Sequence, residues 1–234
     1  MVIDKTLAKK SRQHTVYKLT DGTRVPGVTT VLNEMSKPAL IPWANKMGLQ
    51  GIDTTKYVDA AANVGTACHR MIEAHLKSRD FDGSEFSPDC IGQAENGYIK
   101  YLDWESGVRM SDIESELQLV SEVDGFGGTV DLYCTLTDSK GTLPGKRTLV
   151  DFKTGQSGIY AEHGHQTAGG YRLLLEANGR PVEQVLIIRV GKTDAMDLET
   201  KWIGHWGLHE SIFLACLGLY RLRKELQKAE KGAR

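Results

Sequence analysis

Residues 125–134, GFGGTVDLYC, and 149–155, LVDFKTG, decide the fold. GTVDLYCTL at 128–136 alternates polar and apolar side chains, the period of a β-strand. TLVDFKT at 148–154 reads as a second strand, ended by Gly155. The turn-rich DSKGTLPGK between them lets the two strands pair as a hairpin. SELQLVSE at 115–122 alternates in the same way, and VLIIRV at 185–190 is apolar but for Arg189, as a strand covered on both faces is.

Helical periods surround these strands. Residues 57–78, YVDAAANVGTACHRMIEAHLKS, repeat apolar positions at three and four, and further helices are expected over 88–105, 160–177 and 208–230. Towards the N-terminus, TVYKLT at 15–20 and residues 24–25 flank Asp21-Gly22, a hairpin turn. Thr29 or Thr30 is placed to cap a short helix running to about Ser36, and ALIPWANKMG continues as helix. The order helix–strand–strand–strand–helix–strand implies an α/β fold, a mixed β-sheet flanked by helices with a small N-terminal helical element. No change in composition marks a boundary. One domain over 1–234 is expected, a hairpin and helical lobe at 1–56 on a core at 57–234.

Bulk properties narrow the classes of function. The 234 residues, with 40% hydrophobic and 25% charged content, suit an ordinary globular protein. No apolar run reaches the ~20 residues that cross a bilayer, and MVIDKTLAKK lacks the apolar core of a secretion signal. A cytoplasmic location without membrane attachment is expected. Cys68, Cys90, Cys134 and Cys216 stand apart, without the grouping that zinc or an iron–sulfur cluster needs. Net charge is −1, but residues 1–24 and 221–234 each carry six Lys/Arg against two Asp/Glu. The middle, 25–220, holds 17 basic and 26 acidic residues. Basic ends on an acidic middle suit a carboxylate metal site beside phosphate-tracking arms, and equally suit plain solvated termini.

Asp131 sits within an apolar strand, and Asp151 and Lys153 share one face of the next, with Phe152 pointing the other way. Two carboxylates at one sheet edge repel and are costly to desolvate. A hard divalent cation removes that cost, and Lys153 beside it would hold and polarise a water. The competing reading is structural: Lys153 neutralises both aspartates as an ion-paired cluster. His69 and Glu73 share a helix face and offer a further nitrogen or carboxylate ligand, and Glu116 lies on the preceding strand, behind the pair.

Gly65-x-x-x-His69, Gly128-x-x-Asp131 and Asp151-x-Lys153-Thr154-Gly155, on helix, strand and strand, resemble the PD-(D/E)XK nuclease superfamily. The likeness is to its RecB-type branch, which includes phage exonucleases and mitochondrial genome maintenance exonucleases. PGVTTVLNEMSKPALIPWANKMG resembles the N-terminal element of those members, GTACHRMIE their ligand-bearing helix, and HGHQTAGGY the helix with a glutamine and a tyrosine. The resemblance implies a restriction-endonuclease-like core. It implies metal coordination by His69, Asp131, Asp151 and the Phe152 carbonyl, with Lys153 serving the water. Gln166 and Tyr171 would sit at the mouth of the site. It places Trp43, Lys46 and Thr30 in an element that contacts DNA, and Lys192 is a further candidate for phosphate.

Two departures matter. The family spaces its glutamine and tyrosine four apart, but Gln166 and Tyr171 are five apart. On a regular helix that leaves them about 140° apart around the axis. Either a local bulge restores the geometry, or only one is used, with His163 or His165 as a substitute. The iron–sulfur relatives carry three cysteines near the C-terminus, whereas only Cys216 is late here, so no cluster is expected. The implied activity is Mg²⁺- or Mn²⁺-dependent exonucleolytic hydrolysis of linear DNA, leaving 5′-phosphate and 3′-hydroxyl ends. The setting would be phage-type recombination, replication or repair, with a single-strand annealing protein as partner. The alternatives are a structure- or flap-specific endonuclease on the same fold and a catalytically silent DNA-binding module.

Overall fold

A computed structural model describes residues 15–141, 144–155, 158–193 and 198–232. Most of the basic N-terminal stretch, part of DSKGTLPGK, and Arg234 lie outside the described residues. The elements run β1 (Tyr17–Lys18), β2 (Arg24–Val25), α1 (Val28–Leu32), α2 (Leu40–Leu49), α3 (Thr54–Leu76) and α4 (Pro88–Glu105). They continue β3 (Val108–Ser121), β4 (Phe126–Asp138), β5 (Lys146–Lys153), α5 (Ala161–Gly164), a π-helix (His165–Tyr171) and α6 (Arg172–Ala177). β6 (Gln184–Arg189), β7 (Glu199–Trp202) and α7 (Trp206–Gly232) complete the chain.

The main sheet has the order β3-β4-β5-β6-β7, with β5 and β6 parallel and the other neighbours antiparallel. It is a mixed sheet flanked by helices, consistent with a restriction-endonuclease-like core. The apolar run of β6 splits by alternation, as a strand covered on both faces must. Val185 and Ile187 enter a core cluster with α1, the π-helix, α6 and α7. Leu186 and Ile188 enter a second with α3 and α4. Among the described residues no helix is long and apolar enough to cross a membrane.

Caps and turns set the boundaries. The Asp53 carboxylate accepts from the Thr55 and Lys56 amides, and so starts α3 upstream of the expected residue 57. Ser87 caps α4, with Pro88 in its first turn. α1 departs from expectation, because Gly27 occupies its N-cap and Thr29 and Thr30 lie inside the helix. β3 begins seven residues before the expected 115, at Val108. Its early half is largely exposed, so the alternation that marks a half-buried strand is weak there.

The helix expected over 160–177 is not uniform. Its middle seven residues are π-helical, the usual form of an inserted residue in a helix at a functional site. Packing against α7 is close here: a methyl group on Gly169 would lie 2.7 Å from the His209 carbonyl oxygen and 3.0 Å from Phe213 Cβ. Backbone cannot step aside as a flexible side chain does. Gly169→Ala is therefore expected to cost about 1–3 kcal/mol in denaturant unfolding. A neutral result would show that the π-helix and α7 are not packed as described.

Candidate active site

β4 and β5 part at the end of the sheet that carries the polar residues. Leu132, opposite Val150, is the last β4 residue on the ladder with β5. One step beyond, a side chain takes over: Asp131 Oδ2 accepts the Phe152 N–H at 2.8 Å. On its other side β4 runs against β3, where Ser115 faces Leu132 and Leu117 faces Val130. That register sets Glu116 across from Asp131. Glu116 has φ of +53°, a left-handed conformation that costs energy in a residue other than glycine.

α3 brings the fourth group. At Gly65 an added Cβ would lie 2.8 Å from Thr154 Oγ1, so glycine lets the helix rest directly on the chain leaving β5. One turn later His69 places Nδ1 3.5 Å from Asp131 Oδ1. His69, Glu116 and Asp131 each offer a ligand atom within 4.8 Å of the other two. These three line a cavity of about 600 Å³, together with Thr30, Thr66 and Tyr171.

Asp151 is 1% exposed, and its Oδ2 lies 2.6 Å from Lys153 Nζ. That contact is an ion pair by distance only: the same oxygen is buried and accepts no hydrogen bond of normal geometry. Lys153 instead donates to Gln166 Oε1 at 2.9 Å, and Gln166 Nε2 donates to Tyr171 Oη at 2.8 Å. The five-residue spacing is accommodated by the π-helix, whose i→i+5 bonding brings residues five apart onto one side. Neither histidine substitutes. His163 Nδ1 accepts the Tyr160 N–H, and His165 pairs with His209 through Nδ1 atoms 2.8 Å apart.

The electrostatics are those of buried carboxyls packed around an imidazole and an ammonium. Burial pushes the Glu116 carboxyl up to about 7, and the Asp131 charge adds to this. Burial likewise raises Asp151 to about 6, against the pull of Lys153. Burial opposes a charged His69, but Asp131 outweighs it and lifts the imidazole to about 9. Burial would also raise Asp131, yet the neighbouring His69 holds it below the ordinary carboxylate value. Near neutral pH His69 is protonated and Glu116 partly so, and cation binding would displace these protons. A hard divalent ion fits this donor set: facing carboxylates with an imidazole beside them.

Several expectations need correction or refinement. Glu116, placed behind the ligands by sequence, stands among them. Asp151 lies outside the 4.8 Å triplet and pairs with Lys153. Glu73 lines the cavity but holds Lys77 at 2.5 Å. Phe152 enters the site through its N–H, and its ring packs edge-on to His69. Thr30 lines the cavity, whereas Trp43 packs at 6.0 Å against Tyr57 and Lys46 is exposed on α2, neither of them at the cavity wall. Lys192 does not face solvent. It is 8% exposed, donates to the Ala61 carbonyl at 2.7 Å, and so ties the chain after β6 to α3.

No protein-family model and no curated protein matches this chain. Among solved structures it is similar to a protein from Eubacterium rectale named for an inferred exonuclease activity, with a TM-score of 0.44 and 16% identity. The match covers 70% of this chain and 65% of that one, so the chain spans less than two thirds of its length. A second likeness, to the protein SSO0001, has a TM-score of 0.31 and 12% identity over 68% of this chain and 74% of that one. Likenesses this distant assign no activity.

Proposed function

We propose that this chain, acting as one domain, is a divalent-metal-dependent nuclease that hydrolyses phosphodiester bonds of DNA and digests linear molecules from an end. The observation that supports the reading is the opposition of Glu116, Asp131 and His69 within 4.8 Å, next to the Asp151–Lys153 pair. Such a grouping is expensive to keep without a cation. Mg²⁺ or Mn²⁺ bound there would polarise a phosphate oxygen and lower the pKa of a water. His69, Asp131 and Glu116 would hold it, with Asp151 and the Phe152 carbonyl completing the set.

The chain's own groups do the rest. Lys153 is held at 2.9 Å by Gln166 and beside Asp151, so its ammonium is fixed rather than mobile. A fixed ammonium orients an attacking water and offsets the negative charge gathering on the phosphate. Tyr171 fixes Gln166 in turn and closes one wall of the cavity. Thr30 offers a hydroxyl to the backbone of a strand entering it.

A plasmid in covalently closed and linearised forms tests the proposal. With Mg²⁺ or Mn²⁺ the linear form is expected to be degraded to 5′-phosphorylated nucleotides, the closed circle to persist, and EDTA to stop the reaction. Cutting of the circle would make the enzyme an endonuclease. No metal-dependent cutting of either form would leave a DNA-binding module.

A further inference from the structure

Glu73, Glu116 and Asp131 line the active cavity, and among the described residues Arg70 is the one lysine or arginine on its wall. Lys153 is committed to Asp151 and Gln166. A cation held by His69, Glu116 and Asp131 would meet one phosphate of an entering strand. The next phosphate along would face a wall that is acidic except at Arg70. That residue follows His69 on α3, about 100° further round the helix. Its guanidinium pairs with the Glu85 carboxylate, in the loop ahead of α4, and its Cζ lies 5.4 Å from the centre of the Phe86 ring. The Arg70 and Glu85 side chains are 41% and 44% exposed, so their pair is of the surface kind, with little net worth. A phosphate offers a guanidinium the same two-oxygen face as a carboxylate, and can take the place of Glu85 on the same fork. Beyond Arg70 a second cavity, of about 230 Å³, shares Arg70 and Glu73 with the first. It adds Lys77 and Arg79 but also Asp80, Asp82 and Glu85, and Glu73 already holds Lys77. A DNA backbone gains nothing there from charge, so the phosphate contacts end at Arg70.

We propose that Arg70 binds the DNA phosphate next to the one held at the metal, and that Glu85 occupies the same guanidinium until that phosphate displaces it. The proposal rests on the nuclease reading of the cavity. Glu85 is then a competitor of the substrate, built into the loop that flanks the site. The two partners of one ion pair therefore act on DNA binding in opposite directions. A pair that only tied α3 to the loop ahead of α4 would behave otherwise, since losing either partner would weaken the same tie.

Binding of an end-labelled DNA oligonucleotide by the full chain tests this, read by fluorescence anisotropy with Ca²⁺, another hard oxygen-bound cation, in place of Mg²⁺. Arg70→Gln is expected to weaken binding about tenfold and to lower the slope of log Kd against log salt by about one. Glu85→Gln is expected to tighten binding about two- to fivefold. Arg70→Lys keeps the charge and loses the fork, so it should retain the slope but not the affinity. In all three the rise in melting temperature on adding Mn²⁺ should match that of wild type, because His69, Glu116 and Asp131 are unchanged. Strands made neutral at one phosphate at a time, as methylphosphonates, locate the contact. One position, beside the phosphate at the metal, should weaken binding by wild type and leave Arg70→Gln indifferent. The absence of any such position would overturn the proposal, as would Arg70→Gln and Glu85→Gln shifting affinity in the same direction. Arg70-dependent binding without metal-dependent cutting would leave the phosphate contact standing and end the nuclease reading alone. A chain that binds no DNA would end both.

Discussion

Asp131→Asn is expected to abolish metal-dependent hydrolysis, by at least about 10³-fold, while leaving the fold intact. Asparagine still accepts the Phe152 N–H, so the link that replaces the β4–β5 ladder survives. What is lost is the charge that faces both Glu116 and His69. Thermal unfolding separates this from a packing effect. Mn²⁺ should raise the melting temperature of wild type, as any ligand of the native state does, and leave the variant's unchanged. A second signature appears in EDTA. The folded-state pKa of His69 is raised to about 9, so its pairing with Asp131 stabilises the fold fully below the unfolded value near 6.5. That contribution fades as pH rises through 9. Between these limits the metal-free wild type should lose stability through this pair, and Asp131→Asn should lack that component. Hydrolysis at wild-type rate by the purified variant would remove Asp131 from the chemistry.

The strands and the long helices were legible because their signals are local. β4 and β5 alternate, β6 is apolar from Val185 to Ile188, and Ser87 with Pro88 marks the start of α4. β7, four residues with only partial burial, carried no such signal and was missed. In the site, Asp151 and Lys153 share a strand face as their spacing requires, and α3 brings His69 to Asp131. Glu116 was harder. Its place among the ligands depends on the β3–β4 register and on a left-handed backbone, and neither is written in the alternation around it. The five-residue gap between Gln166 and Tyr171 shows the reverse case. A spacing that violates the α-helical period was itself the sign of a π-helix. Lys192 shows the limit of residue type as evidence. A lysine after a buried strand suggests a phosphate contact, but this one satisfies a carbonyl of α3 instead.

Lys153→Met is expected to give a different failure, and the contrast with Asp131→Asn carries the mechanism. Methionine keeps the length of the stem and removes the ammonium, so the 2.6 Å approach to Asp151 and the hydrogen bond to Gln166 both vanish. Asp151 is then a buried carboxyl with no cation beside it. It stays protonated near neutral pH, which limits the damage to less than the ~3–5 kcal/mol expected of an uncompensated buried charge. Turnover should fall by about 10²–10³-fold, the range found when one preorganised donor at a reacting centre is lost. Cation binding should survive, because His69, Glu116 and Asp131 are untouched. The gain in melting temperature on adding Mn²⁺ should exceed that of wild type, since the ion would supply the positive charge that Asp151 has lost. Lys153→Arg should not restore activity: a planar guanidinium does not fit the position of a compact ammonium held 2.9 Å from Gln166. If Lys153→Met bound no cation, or kept wild-type turnover, the lysine would be a structural counter-ion for Asp151 with no part in the reaction.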